Sequence, residues 1–451
     1  MTSHAVLWTY ALAPDVEVRA GQGGAVLRTA TNQTWIAAAG DLEVLNLLAG
    51  IGSSEAQIQS QFRLSEPDCS AETRCAALLF RLDRLGLLAR GLSSSGRRLA
   101  SCIPLRPPPD HPPERAPEGL LRLSPRALAR AAANVVSLEV PGAWARMTIH
   151  DRDLLALLHD LAVGRPAVEM AAAVPAVPEQ ATLAVLALMS WCGLLDRGDQ
   201  QAWSTHDLLF HARTRAGYAR VLLGKTFPGG ETAAEPAPSA TADGRRCLAL
   251  EPPDLPRLLA EDPPFALVSE RRQSTRRQGS VPLTSGQLSE FLFRTLHERE
   301  GRRPYPSGGA CYPLKAYLAV HRCLGVAPGL YVYDPTLHEL ITVGEPGPGL
   351  DRLLADAAGA ANVERPPQIL LVLAARYART QRVYGDISYS LILKEVGAVF
   401  QAAMMAAAAM GLSTCPLGGG NSLLFSELAG VDPFAEASVG ELMLGSLAEP
   451  V

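Results

Sequence analysis

Three segments in the C-terminal half carry residue types suited to gripping an anionic ligand. Residues 269–279 read SERRQSTRRQG. In an extended chain Arg272, Ser274 and Arg276 project to one side, and two guanidiniums around a hydroxyl match phosphate geometry. A solvated basic turn has the same composition. Residues 302–320, RRPYPSGGACYPLKAYLAV, place Ser307, Gly308 and Gly309 before a strand-like run, where backbone N–H groups can approach a ligand that a Cβ would obstruct. A plain turn reads the same way. Residues 410–430, MGLSTCPLGGGNSLLFSELAG, run from a helix end at Gly411 through a β-like segment to Gly418, Gly419 and Gly420. A helix follows, whose N-terminus favours an anion; the alternative is a glycine loop without a ligand.

These loops need rigid elements around them. Residues 386–411 (DISYSLILKEVGAVFQAAMMAAAAMG) predict a helix on the order of 35 Å long at ~1.5 Å per residue. Its C-terminal half is apolar all round, which places it in a core or a subunit interface. Ser390, Lys394 and Gln401 share one face, and polar groups on a buried helix either reach a wet cleft or are satisfied internally. Helical periodicity also marks 284–300, with Thr284 as N-cap, and 349–360; strand-like runs cover 317–322, 329–333 and 368–374. The low-complexity stretch 228–244, PGGETAAEPAPSATADG, reads as a linker, so 245–451 forms one domain.

The first 200 residues contain a weak internal repeat, 35–91 against 144–198. Each copy has a β-like lead, an amphipathic helix, a short polar segment and a second helix ending in Gly-Leu-Leu. This predicts winged-helix-like modules over 1–100 and 119–227, joined by the extended, proline-rich 101–119. The second helices, 78–88 and 183–195, carry few cations, which argues against a grip on DNA phosphates. A packing scaffold and capture of a peptide at a strand or helix edge remain.

Composition narrows the class further. With 451 residues the chain has room for roughly three domains, and 48% apolar against 19% charged residues excludes a mainly disordered chain. A net charge of -4 gives no chain-wide attraction for nucleic acid. The cysteines, Cys69 among them, are scattered without a CxxC pair, which suits a reducing cytoplasm, and no metal is implied because His206, His211, His297, His321 and His338 are not grouped. The N-terminus lacks a secretion signal and the longest apolar run, 398–412, is interrupted by Gln401, so no membrane span is expected.

In this order and spacing, R-x-S-x-R at 272–276, Y-P-S-G-G-A-x-Y-P at 305–313, E-x-G-x-x-x-Q at 395–401 and G-L-x-x-C-x-L-G-G-G at 411–420 resemble the FMN-dependent nitroreductase fold. More narrowly they resemble the SagB-type azoline dehydrogenases of ribosomal peptide biosynthesis. The resemblance implies an α+β fold, a central mixed or antiparallel sheet flanked by helices, preceded by tandem winged-helix-like modules of the peptide-clamp type. Residues 203–217 look like the family's preceding segment. A homodimer is implied, with FMN at the interface near the long helix. Arg272, Gln273, Ser274 and Arg276 would hold the phosphate and ribityl chain. Pro306, Ser307, Gly308 and Gly309 would line the isoalloxazine, Leu417, Gly418 and Gly419 would approach flavin or phosphate, and Gln401 would stand near the ring.

One position departs from the pattern. Many members carry a Lys-Tyr pair before the long helix, and RVYGDISY puts Val383 at the lysine position while keeping Tyr384. The acid/base role then falls to Tyr384, with Lys394 or Tyr389 as helpers. A tyrosine pKa of about 10 needs a nearby cation to bring it down, and Arg382 and Lys394 are the candidates; the alternative for Tyr384 is a buried structural residue. A Val-Tyr pair with a downstream helix lysine resembles the branch serving thiopeptide and cyanobactin-like pathways. The implied activity is oxidation of peptide thiazolines and oxazolines, made by a partner cyclodehydratase, to thiazoles and oxazoles. An NAD(P)H-dependent nitroreductase or ene-reductase of the same fold and a non-catalytic peptide scaffold are the alternatives. Cys311 and Cys415, inside the loop motifs, read as small buried residues.

Overall fold

The computed structural model describes residues 6–21, 24–29, 33–36, 41–65, 70–132, 135–198, 202–218, 224–228 and 246–449. The chain divides into two compact units, Met1–Leu222 and Leu223–Val451. Apart from Pro228, the expected linker 228–244 and the boundary at 245 lie outside the described residues, and 224–228 belongs to the second unit. Cys69 is likewise outside them.

In the first unit an antiparallel sheet runs in the order Ser53–Ser54, Val6–Leu12, Leu88–Ser94, Arg97–Pro104, Ala145–Ile149, Val135–Glu139, Leu128–Ala132. The repeat is present with more helix than the sequence suggests. Helix Asp41–Leu48, strand Ser53–Ser54, helices Glu55–Ser65 and Ala71–Arg84 and strand Leu88–Ser94 follow one another. Helix Ala156–Val163, strand Arg165–Pro166 and helices Ala167–Ala172 and Glu179–Trp191 repeat that order, ending at a bridge between Leu195 and Leu123. The extra helix sits in each segment that reads as short and polar, because only one face, Ile58 and Phe62 in the first copy, meets the core. The expected extended connector starts later than 101, since 101–104 belongs to strand Arg97–Pro104. Trp144 stacks edge-on to Trp191 at 4.4 Å and its Nε1 donates to the Trp191 carbonyl at 2.6 Å, fixing the second copy's last helix. That helix contains no Lys or Arg, whereas its counterpart Ala71–Arg84 carries Arg74, Arg81 and Arg84.

In the second unit the strand Ile369–Arg376 is apolar at all but its last position because both its faces are covered. Ile369, Leu371, Leu373 and Ala375 meet a core shared with helices Ser285–Thr295 and Ser388–Met410. Leu370, Val372 and Ala374 meet the opposite core, shared with helices Pro348–Ala361 and Ser422–Ala429. The sheet order is Cys247–Ala249, Glu339–Gly344, Gly329–Asp334, Leu314–Val320, Ile369–Arg376, Glu436–Ser446, Leu412–Pro416. Every neighbouring pair is antiparallel, so the sheet is not mixed. Strands Ile369–Arg376 and Leu412–Pro416 follow each other through the long helix, yet they do not pair. The C-terminal strand fills the lane between them, antiparallel to both.

Thr284 caps helix Ser285–Thr295 in a reciprocal capping box with Gln287. The long helix spans Ser388–Met410 and is separated from helix Tyr377–Tyr384 by a turn at Gly385, whose φ is +55°. It lies directly on the sheet at Gly440, where a Cβ would stand 2.6 Å from Val396 Cγ1. Residues 377–410 are long and apolar enough by composition to cross a membrane, but Ile392, Val396, Val399 and Ala403 are buried against the sheet. The helix is not enclosed on every side within one chain. Leu393, Lys394, Gly397 and Gln401 are exposed, while Ser390 is buried. A sheet covers only one flank of a helix, so the outer stripe stays open whatever its composition.

Candidate active site

The R-x-S-x-R segment is extended and sits along the edge strand Leu412–Pro416. Thr275 N–H donates to the Thr414 carbonyl at 2.8 Å, and the Ser413 hydroxyl donates to the Thr275 carbonyl at 2.9 Å. With Thr275 turned to the strand, Gln273, Ser274 and Arg276 are exposed and Arg272 is half-exposed. Among the described residues neither Arg272 nor Arg276 has an ion-pair partner. Arg276 lies close enough to Cys415 to offset part of the upward push that burial gives that thiol. Cations left unpaired beside a strand end are available to an anion.

The Ser-Gly-Gly loop is bound to the long helix through Ser307. Its hydroxyl donates to Glu395 Oε2 at 2.6 Å and accepts from Tyr312 N–H at 2.9 Å. Glu395 is 5% exposed, and its second oxygen, Oε1, is buried with no partner among the described residues. Burial pushes the Glu395 carboxyl up to about 7, against the pull of the Ser307 hydroxyl, Arg303 and Arg379. Gly309 has φ +59°, and a Cβ there would stand 2.8 Å from the Tyr384 hydroxyl and 3.3 Å from Lys225 Cε. Glycine is thus required twice over, by conformation and by the tyrosine that occupies the space. Gly308 faces Tyr384 Cε2 and Leu391 Cδ1, each 3.6 Å from its notional Cβ. Burial and the neighbouring Cys311 thiol raise Tyr384 above the ordinary tyrosine value.

In the third segment Leu417 is buried and its N–H donates to the Glu441 carbonyl at 2.9 Å. Gly420 has no room for a side chain because the Glu441 carboxylate lies against it. Gly418 and Gly419 are exposed with open space around them, so nothing in the chain demands glycine there. Asn421 caps helix Ser422–Ala429, its Oδ1 accepting from Leu424 N–H at 3.2 Å.

The structure thus brings Tyr384 to the Ser307–Gly309 loop and leaves its expected helpers elsewhere. Tyr389 is 40% exposed, with its ring 5.6 Å from Tyr377. Lys394 and Gln401 are exposed on the outer stripe of the long helix. Arg382 Nε donates to the Arg379 carbonyl at 3.4 Å. Pro306 is exposed at the loop's entry and Cys311 is buried at its end. Two residues escaped the sequence reading. Glu395 stands inside the E-x-G-x-x-x-Q motif, and a carboxylate on an otherwise apolar helix face was the available signal. Lys225 offered none, being about 80 positions from the loop it touches. Beside the loop a cavity of 520 Å³ is lined by Arg303, Tyr312, Lys315, Tyr317, Arg376 and Arg379. Burial and then the Arg379 charge push Arg376 down to about 10.

The Ser307–Gly309 loop thus brings together the Tyr384 phenol and the buried Glu395 carboxyl, while the R-x-S-x-R segment presents two unpaired guanidiniums beside strand Leu412–Pro416. Residues 270–446 match the model of the nitroreductase family. A nitroreductase of Methanocaldococcus jannaschii is 35% identical over 168 residues, which is 37% of this chain and 81% of that protein. The chain belongs to the nitroreductase family, whose members are FMN-dependent oxidoreductases. Residues 121–220 match a second family model, described as cyanobactin oxidase ThcOx. Among solved structures, a Ralstonia eutropha nitroreductase aligns at 21% identity and TM-score 0.39, covering 49% of this chain and 97% of its own. A chain of the E. coli microcin synthetase McbBCD complex with truncated pro-MccB17 aligns at 18% identity and TM-score 0.35, covering 56% of this chain and 85% of its own.

Proposed function

We propose that this protein is an FMN-dependent dehydrogenase that oxidises thiazolines and oxazolines in a ribosomally made peptide to thiazoles and oxazoles. One observation carries the reading: the Tyr384 hydroxyl stands over Gly309, in the loop that the SagB-type resemblance lays along the flavin ring. The match of 121–220 to a cyanobactin oxidase model supports a peptide substrate and the thiopeptide and cyanobactin-like branch.

The residues present fit the cofactor. Arg272 and Arg276 offer unpaired guanidiniums for the phosphate, with Ser274 between them. Gly418 and Gly419 leave their backbone bare without structural need, and Gln401 is exposed on the same helix as Glu395. When bound, FMN supplies the hydride acceptor for the two-electron oxidation. The chain's own work is to hold the loop to Glu395, orient the azoline and receive one proton at the Tyr384 oxygen. The outer stripe of the long helix, Leu393, Gly397 and Gln401, forms the contact with a second copy in this reading, continued by the exposed Leu259 and Phe265. The recurring helix–strand–helix–helix–strand units of Met1–Leu222 serve as winged-helix-like clamps for the precursor peptide or its cyclodehydratase, in the reducing cytoplasm that the free cysteines suit.

The test is a visible spectrum of the purified protein followed by anaerobic incubation with a thiazoline peptide. The flavin band bleaches as the peptide loses ~2 Da, the mass of two hydrogens. A yellow protein that ignores the azoline and is bleached by NADPH is a reductase; a colourless one that takes up no FMN is a scaffold.

A further inference from the structure

A tyrosine that works as a base needs a cation beside it, and neither sequence candidate stands there. Arg382 is two residues away on the same helix, a spacing that puts side chains on nearly opposite faces, and its Nε is turned to the Arg379 carbonyl. Lys394 is absent from the atoms nearest Gly308 and Gly309, which belong to Leu391, Tyr384 and Lys225. Lys225 reaches this spot because residues 225–228 are strapped to the end of helix Tyr377–Tyr384. Thr226 N–H and Phe227 N–H both donate to the Val383 carbonyl, at 2.7 and 3.1 Å. Thr226 Oγ1 and Pro228 Cγ then pack over Gly385, 3.4 and 3.7 Å from its notional Cβ. Val383 itself is 6% exposed, with its side chain turned into the protein. A lysine at that position would have to follow the same path inward, away from the tyrosine's polar end. Among the described residues Lys225 has no ion pair, and its side chain is exposed.

We propose that Lys225, carried in by the strap on the Val383 carbonyl, is the positioning cation for Tyr384. The proposal rests on the azoline dehydrogenase reading of the site and deepens it. The Lys225 side chain stabilises the Tyr384 phenolate. That phenolate would accept the ring-carbon proton of the azoline and become a phenol, with bound FMN supplying the two-electron acceptor for the second hydrogen and its bonding pair. The phenol then returns its proton to water. The other groups around this pair are Cys311 from the loop, Arg382 on the tyrosine's own helix and, acting on Cys311, Arg379 and Glu395. The Tyr384 hydroxyl and Lys225 Cε both stand at the Gly309 Cβ position, 2.8 and 3.3 Å from it.

The experiment compares native protein, Lys225→Met, Lys225→Arg and Tyr384→Phe as full-length, flavin-loaded chains. Carbon-13 NMR of tyrosine Cζ follows ionisation, with Tyr384→Phe assigning the signal. Lys225→Met is expected to move the Tyr384 midpoint up by about one pH unit, as loss of an adjacent opposite charge does. The pH profile of kcat moves with it, KM stays unchanged, and Lys225→Arg restores both. A Tyr384 midpoint identical in native protein and Lys225→Met overturns the role of Lys225. A fully active Tyr384→Phe overturns instead the reading of the site on which it rests. Since Lys225 is exposed, neither variant is expected to lose its fold, and a native far-ultraviolet spectrum checks this.

Discussion

Glu395→Gln is expected to make the second unit more stable at neutral and alkaline pH, although it deletes a hydrogen-bonded carboxylate. The Glu395 carboxyl is held at about 7 against an ordinary 4.5, mainly by burial. Because the folded value is raised, the protonated form is the one the fold favours. Below about pH 4.5 both states are protonated and this preference is fully present. Between 4.5 and 7 the unfolded carboxyl ionises while the folded one does not, so stability falls as pH rises; above 7 the loss is complete. At roughly 1.4 kcal/mol per pKa unit the loss is at most ~3.5 kcal/mol, and relaxation around the site brings the expected value to ~1–3 kcal/mol. Glutamine keeps an oxygen for the Ser307 hydroxyl and carries no charge to desolvate. The assay is thermal unfolding by circular dichroism at about pH 4.5 and about pH 8, with the usual solution reference of each protein at both. All five tryptophans lie within Met1–Leu222, so tryptophan fluorescence marks the first unit's transition and the remaining one belongs to the second. A Glu395→Gln protein less stable than the native chain at about pH 8, or an offset that does not change with pH, refutes the reasoning.

Further outcomes follow from the same geometry together with the proposed FMN-dependent azoline dehydrogenase reading and its dimer. Ser307→Ala leaves both Glu395 oxygens and the Tyr312 N–H without their partner, and is expected to cost about 1–3 kcal/mol in the same unfolding assay. Gly309→Ala forces a Cβ into the position 2.8 Å from the Tyr384 hydroxyl at φ +59°; azoline turnover falls, and a displaced Tyr384 is visible in the Cζ spectrum. Arg276→Ala removes one charge-assisted contact to the phosphate, worth ~1.5–3 kcal/mol, so FMN affinity falls about 10–100-fold in a fluorescence titration. Tyr384→Phe retains flavin and lowers azoline oxidation by ~10²–10⁴-fold, the range for loss of a general acid/base group, in a stopped-flow bleaching assay. Leu393→Glu puts a charge on the open stripe of the long helix and is expected to convert a dimer to a monomer in light scattering.

Much of the second unit could be read in advance because its physics is local. The alternation of apolar runs with Gly and Pro marks the strands, Thr284 announces a helix start that a capping box then realises, and Gly411 ends the long helix in the left-handed conformation at φ +66°. The three loop motifs are visible as patterns for the same reason: their glycines and arginines lie within a few consecutive residues. The helices Glu55–Ser65 and Ala167–Ala172 were not, since a short helix with one narrow buried face has little periodicity to show.

What the linear order could not contain is which distant groups share a space. The motif E-x-G-x-x-x-Q is visible in the chain, but that Glu395 is the member turned inward, with one oxygen on Ser307 and the other unpartnered, depends on which flank of the long helix the sheet covers. The antiparallel character of the whole sheet likewise depends on the last strand entering the lane between two earlier ones, a choice made by the closing of the core and not by any segment's own pattern. The same holds for Lys225. The resemblance puts Val383 where related chains carry a lysine, whereas only packing, through two hydrogen bonds to the Val383 carbonyl, brings Lys225 to Gly309, where Tyr384 also stands.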